Sequence, residues 1–216
     1  MSHKHKACVA LVPPIQDTKL FNQEALIEQL VRHEGLMCGL YLRRNNQIFI
    51  GVGRNLSRVG LSEDEACYLI CRDVRRLKPL LDREEESSVS EHRLKTESVL
   101  SLQALISNRH KVAYFFDNGI TKPEAYYLLA NDIKRTTNEL SQAWPIFSTL
   151  PFHHQAVLIN MAFDMGVTQV LRARNMLAAL AEGASHFAAI ELEVSDWARA
   201  KRERAKELAT QLILPN

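Results

Sequence analysis

One phrase occurs twice and constrains the fold more than any other feature: GLSEDEACYLICRDVRRLKPLL over 60–81 and GITKPEAYYLLANDIKRTTNEL over 119–140. Gly, Glu, Ala, Tyr, Leu, Asp, Arg and a final Leu coincide. Each copy opens on a glycine and a capping box, Ser62 with Glu65 and Thr121 with Glu124. Such a box satisfies two backbone N–H groups that a helix start leaves unpaired. The chain is therefore expected to build one helix twice, the first copy running through Leu69, Ile70, Val74 and Leu77 to Pro79. Two copies separated by unlike sequence do not make a solenoid. The segment between them, 82–118, opens on a solvated link from Asp82 to Ser88. It then reads as a mainly helical insertion closed by Phe115 and Phe116.

Ahead of the first copy, residues 1–21 mix basic, apolar and proline residues without a period and read as an N-terminal extension. Asn22 is a candidate N-cap. Leu26, Ile27, Leu30 and Val31 then follow a helical stripe, and Gly35 supplies the stop just after Glu34. Glu34 thus lies in a last helical turn, where the macrodipole disfavours a carboxylate charge, as suits a general acid. Leu40 to Leu42 and Ile48 to Val52 are strand-like runs joined by a polar, Asn-rich turn, which predicts a hairpin. Gly51 and Gly53 alternate at its end, where a bend or a close backbone approach is expected. Between Glu34 and Glu63 there is no Asp or Glu, although carboxylate chemistry beside that hairpin needs a second acid.

Beyond the second copy the chain is helical throughout. Pro145 and Pro151 bracket a short link. His153 to Met165 is apolar on nearly every side, as a central buried helix should be. Further helices are expected from about Gln169 to Glu182, from Phe187 to Val194, and from Asp196 to Leu212 with Ser195 as cap. The pattern is α+β, mainly α, with units at 1–21, 22–81, 82–118 and 119–216.

A chain of 216 residues with 46% hydrophobic residues buries about 70% of its unfolded surface, so a stable core needs neither disulfide nor metal. Lys and Arg number 27 against 25 Asp and Glu, too even for bulk attraction to nucleic acid or membrane. Cys8, Cys38, Cys67 and Cys71 have no zinc-ligand spacing and read as small buried hydrophobes of a reducing compartment. The apolar run from Ala7 to Val12 stops at Pro13 and Pro14, short of a signal peptide, and no segment is long enough to span a membrane. A cytoplasmic protein of a bacterial host, without a cofactor, is the expectation.

His33-Glu34-Gly35-Leu36, Tyr41, Ile50-Gly51-Val52-Gly53-Arg54-Asn55-Leu56 and Gly60-Leu61-Ser62-Glu63-Asp64-Glu65-Ala66 together resemble the amino lobe of T-even-type bacteriophage lysozymes. Asn160-Met161-Ala162-Phe163-Asp164-Met165-Gly166, Asp196-Trp197 and Arg204-Ala205 resemble that family's carboxyl lobe. The resemblance covers roughly residues 24–81 and 119–212. It implies a small amino lobe with a short antiparallel sheet, a long linking helix, and a helical carboxyl lobe, with glycan chains held in the cleft between. It also implies a muramidase ancestry, with Glu34 at the general acid's position. The family's essential Asp, however, falls at Arg43, and its essential Thr at Phe49.

Those replacements matter chemically. Glycoside cleavage passes through an oxocarbenium-like state and ordinarily uses two carboxyl groups flanking the bond. Arg43 removes one of them and sets a permanent positive charge beside a developing cation. Phe49 has no hydroxyl to orient a water, and it alternates with Ile48 and Ile50 as hairpin covering. The resemblance supplies Arg204 as a salt-bridge partner for Glu34. Asp164 is the best candidate for a relocated carboxylate, with a hydrogen bond to Trp197 as the plainer role.

Other constellations are weaker. Arg43, Arg44, Arg54 and Arg58 form a candidate basic mouth for a carboxylate-bearing peptide stem, a phosphate or an acidic protein surface. Trp197 is placed either to stack on a sugar or to pack in the core. His153-His154 lacks a third metal ligand. Arg199, Lys201, Arg202, Arg204 and Lys206 are interleaved with Glu203 and Glu207, so surface pairing accounts for them without nucleic acid. The leading expectation is a lysozyme-like fold without ordinary muramidase activity, binding a peptidoglycan fragment or a host or phage protein through its altered cleft or inserted helices. The competing one is an active muramidase using Glu34 with Asp164 or with a carboxylate of the insertion such as Glu84 to Glu86.

Overall fold

The computed structural model describes residues 18–43, 46–70, 116 and 118–215, with side chains from residue 23 onward. Helix α1 (Thr18–Glu34) begins ahead of the Asn22 cap expected from sequence. No proline follows Pro14 in this stretch, so nothing there opposes helical backbone. Leu26 and Leu30 are buried on its inner face. The helix closes as expected, with the Gly35 N–H donating to the Val31 carbonyl at 2.9 Å.

A three-stranded antiparallel sheet follows: β1 (Met37–Arg43), β2 (Gln47–Gly51) and β3 (Arg54–Asn55), in that order. Arg43 faces Gln47, Leu42 faces Ile48 and Tyr41 faces Phe49 in the first pair; Phe49 faces Asn55 in the second. The two residues of β3 are too few for a period, which is why sequence patterning does not reveal them. β1 starts earlier than expected, with an irregular register between Met37 and Tyr41. At that irregularity the Cys38 carbonyl accepts the Ile120 N–H at 2.8 Å, tying the sheet to the second copy of the repeated phrase. Gly119 has φ +71°, and a Cβ there would strike the Cys38 carbonyl oxygen, so this junction requires glycine.

Both capping boxes form. In α2 (Glu63–Ile70) the Glu65 N–H donates to Ser62 Oγ at 3.2 Å while the Ser62 N–H donates to Glu65 Oε2 at 2.9 Å. Thr121 and Glu124 do the same for α3 (Lys122–Ala143). Tyr68 and Tyr127, which hold the same place in the two phrases, pack ring on ring at 4.2 Å. The copies therefore meet face to face. Their roles differ: α3 contributes Ala125 and Leu128 to a small core with Ile50, Leu56 and Leu69, then Leu129, Ile133 and Leu140 to the larger helical core. The described part of α2 reaches only the small one. The continuation of the first copy past Ile70 and the helical reading of the insertion lie outside the described residues. Buried Phe116 is the exception within 82–117.

After a 3₁₀ turn (Pro145–Thr149), α4 (Phe152–Met165) buries most of its length, including Val157, Leu158, Ile159 and Met161. The helix expected from Gln169 to Glu182 is two, α5 (Val167–Val170) and α6 (Arg174–Ala181), because Ala173 leaves helical backbone at φ −75°, ψ 59°. Helix α7 (Ser185–Glu193) lies close to expectation. The last helix is also divided, into α8 (Asp196–Ala200) and α9 (Arg202–Leu212), by Lys201 at φ −131°, ψ 49°. Ser195 caps α8, its Oγ accepting the Ala198 N–H at 3.1 Å.

The fold is thus mainly helical with a small antiparallel sheet. Among the described residues no helix is long and apolar enough to cross a membrane. One expectation fails plainly: Cys38 and Cys67 are exposed rather than buried. Cys38 sits on the outermost strand, and Cys67 on the face of α2 opposite Leu69 and Ala66. Cys8 and Cys71 lie outside the described residues.

Candidate functional site

The last turn of α1, the hairpin and the end of α4 converge on one cleft, lined by Glu34, Arg43, Gln47, Phe49, Asn55, Arg58, Arg135 and Asp164 among others. Glu34 lies over Gly53, where a Cβ would stand at an ordinary 3.5 Å from Oε2; the backbone at φ +73°, not the space, is what favours glycine there. The carboxylate is nearly buried and engaged at both oxygens. Arg204 Nη1 donates to Oε1 at 2.8 Å, and Arg43 Nη2 stands 3.7 Å from Oε2.

Arg204 is fixed from behind. Its Nε donates to Asn160 Oδ1 at 2.8 Å and its Nη2 to the Asn160 carbonyl at 2.7 Å. The same Asn160 Oδ1 lies 3.1 Å from His33 Nδ1, and His33 Nε2 lies 2.9 Å from Glu207 Oε2. Burial alone would raise the Glu207 carboxyl, but hydrogen bonds from Gln29 and His33, with the charges of His33 and Arg32, hold it below the usual carboxylate range. Helices α1, α4 and α9 are so laced together behind Glu34.

Asp164 is on the same side of the cleft. Trp197 Nε1 donates to its Oδ2 at 2.7 Å and Lys201 Nζ to its Oδ1 at 2.8 Å. Arg204 Nη1 is 3.8 Å from Oδ1. Burial pushes this carboxyl upward, and the Lys201 and Trp197 hydrogen bonds with the Lys201 and Arg204 charges outweigh it, leaving it below its ordinary value. Glu34 and Asp164 thus bracket one guanidinium. Trp197 packs on the larger core and spends its N–H on Asp164, so the plainer roles of Asp164 and Trp197 are the ones the geometry displays.

Across the cleft the hairpin carries Arg43 and Phe49. Phe49 is buried and stacked on Tyr41 with ring centroids 5.6 Å apart. The Arg43 guanidinium lies over Phe49 at 4.8 Å and over Tyr41 at 5.7 Å, a cation–π arrangement. Burial raises the Tyr41 hydroxyl's pKa, with the Arg43 charge opposing. Arg43 and Phe49 therefore form one unit: the ring carries the guanidinium, and the guanidinium faces Glu34.

Arg54 does not belong to an open basic mouth. It is only 2% exposed, with Nε donating to Asp132 Oδ2 at 2.9 Å and the guanidinium forking onto Glu65 at 2.7 Å from both Nη atoms. The Gly60 and Leu128 carbonyls take its remaining hydrogens. Burial alone would lower its pKa, yet these carboxylates carry it above the ordinary arginine value. β3 turns Arg54 inward because Arg54 pairs with buried Ile50 and not with Phe49. Arg58 does stand exposed on the cleft wall; Arg44 lies outside the described residues.

Sequence reasoning missed Asn160 as the seat of Arg204, the His33 to Glu207 link, and the Gln47 to Asn55 pair on the hairpin wall. The first was present only inside a resembling phrase; the others have no local signal. No protein-family model matches the chain, and no curated protein matches it either.

Proposed function

We propose that the chain is a T-even-type phage-lysozyme-like protein whose cleft no longer performs ordinary muramidase chemistry and serves for binding. The observation that carries this reading is the Arg43–Phe49 unit, a guanidinium held 3.7 Å from Glu34 Oε2 by an aromatic platform. Where glycoside cleavage needs a second carboxylate, this cleft holds a permanent cation that opposes an oxocarbenium-like state. A small sheet beside Glu34, a helix spanning two cores and an otherwise helical chain are in keeping with the resemblance. The cleft suits a peptidoglycan fragment or a protein of the host or phage.

One observation favours a second reading, an active muramidase in which Asp164 replaces the lost acid. Glu34 and Asp164 approach the same Arg204 Nη1, at 2.8 and 3.8 Å, which keeps the two carboxylates near the separations glycosidases use, about 5 to 9.5 Å. Against it, the guanidinium fills the space where a glycosidic bond would have to lie.

Cleavage of purified peptidoglycan separates the two. The natural protein is expected to be silent, and Arg43→Asp with Phe49→Thr to gain turnover. Cutting by the natural protein that disappears in Glu34→Gln would overturn the binding reading and favour the Asp164 one.

A further inference from the structure

Among the described residues, the hairpin wall of the cleft presents hydrogen-bond donors that its own acceptors do not use, and the reason is a chain of fixed orientations. The Arg58 backbone N–H donates to Asn55 Oδ1 at 2.9 Å, which settles which end of the Asn55 amide is oxygen. Asn55 Nδ2 must then donate, and it does so to Gln47 Oε1 at 2.8 Å. Gln47 is thereby left with its NH₂ as the group not used within the wall. Arg43 stands directly across the β1–β2 pair from Gln47, and Arg58 lies next to them on the same cleft.

Neither guanidinium is saturated, although Arg43 shares a hydrogen bond with the Tyr41 hydroxyl. Arg43 is 45% exposed and meets Glu34 only at 3.7 Å, beyond hydrogen-bond reach. Arg58 is exposed and has no ion-pair partner among the described residues. The cleft's own carboxylates are occupied elsewhere: Glu34 by Arg204, Asp164 by Lys201 and Trp197, Asp132 by Arg54 and Arg135. Phe49 and Tyr41 carry the Arg43 guanidinium at 4.8 and 5.7 Å from their ring centroids, which limits the rotamer freedom it has left to lose on binding.

Resting on the binding reading above, we propose that Arg43, the Gln47 amide and Arg58 form a carboxylate-binding subsite, so that the cleft selects acidic over neutral saccharide or peptide ligands. A planar fork beside an amide NH₂ and a second guanidinium matches the two oxygens of a carboxylate, and charge-assisted bonds of this kind are about twice as strong as neutral ones. A carboxylate on the sugar itself and one on an attached peptide offer the same chemistry.

Calorimetric titration of the full chain distinguishes them with three probes: chitotetraose, which is neutral; a peptide-free oligomer of alternating N-acetylglucosamine and N-acetylmuramic acid; and a free tetrapeptide acid. At least one acidic probe is expected to bind about tenfold or more tightly than chitotetraose. Its identity tells which source of carboxylate is used. Gln47→Glu is the decisive variant, because glutamate still accepts the Asn55 bond but turns the outward donor into a like charge. It should weaken the acidic probe at least about tenfold and leave chitotetraose unchanged, as should Arg58→Gln. Equal binding of all probes, binding of none, or indifference to Gln47→Glu overturns the subsite. Cleavage of the saccharides, read by chromatography of the same samples, instead overturns the binding reading, so the two failures are told apart.

Discussion

Arg54 and Arg43 belong to the two outer strands of one small sheet, yet they end in opposite situations. Arg54 points beneath the sheet and spends all five N–H donors on Asp132, Glu65, Gly60 and Leu128. Arg43 points over it, lies on two aromatic rings, is about half exposed on the cleft and pairs, among the described residues, only with Tyr41 and, at 3.7 Å, with Glu34. Arg204 stands between these cases: three hydrogen bonds to Glu34 and Asn160, with Asp164 just beyond reach. A saturated guanidinium joins elements, whereas an unsaturated one is available to a ligand. The same residue type thus serves as a structural knot or as a recognition group according to which face of a strand carries it.

Breaking the knot should show the largest effect. Arg54→Met leaves Glu65 buried without its cation and Asp132 with Arg135 alone, which costs about 3–5 kcal/mol. For a chain of this size that lowers the melting temperature by roughly 10 °C, a shift differential scanning calorimetry would resolve. Arg204→Met should cost less, about 1.5–3 kcal/mol, because Glu34 keeps Arg43 nearby and Asp164 keeps Lys201 and Trp197. A loss equal to that of Arg54→Met would erase the distinction between the two sites.

Acid sharpens the contrast. Burial would raise the Glu65 carboxyl, but hydrogen bonds and charge from Arg54, with the Ser62 and Asn131 donors, hold it below the ordinary glutamate value. A depressed folded value means that the stabilisation is complete above the unfolded pKa, and is lost as pH falls from the ordinary carboxylate range through the folded value. Asp164 and Glu207 are displaced in the same direction and add to the loss. Melting temperature followed from pH 7 into the acid should therefore fall more steeply for the natural protein than for Arg54→Met. Parallel curves would show that Glu65 is not held by Arg54. Arg43→Gln should change stability least, by under about 1 kcal/mol, since its guanidinium is half exposed and its ion pair long. A larger loss would move Arg43 into the structural class.

Local chemistry made much of this legible. Gly35 closing α1 after Glu34, the paired capping boxes, the hairpin around its polar turn and the buried run of α4 all follow from residues within a few positions of one another. The absence of any Asp or Glu between Glu34 and Glu63 is likewise plain from the chain itself. Other features depend on contacts between distant segments. A two-residue β3 exists because β2 offers it an edge, and Lys201 leaves the helix where its ammonium meets Asp164. In sequence Arg54 groups with Arg43, Arg44 and Arg58 as a cleft cation, but carboxylates brought to it by Glu65 and by Asp132 on α3 bury it. The Gln47 donor is more remote still, since its direction is set by a backbone N–H acting through Asn55. The sequence by itself determined the helices, the caps and the missing acid, because those depend on backbone propensity and side-chain chemistry. Only the tertiary structure decided which arginines are spent and which remain free, because satisfaction of a guanidinium depends on acceptors brought to it from elsewhere in the chain.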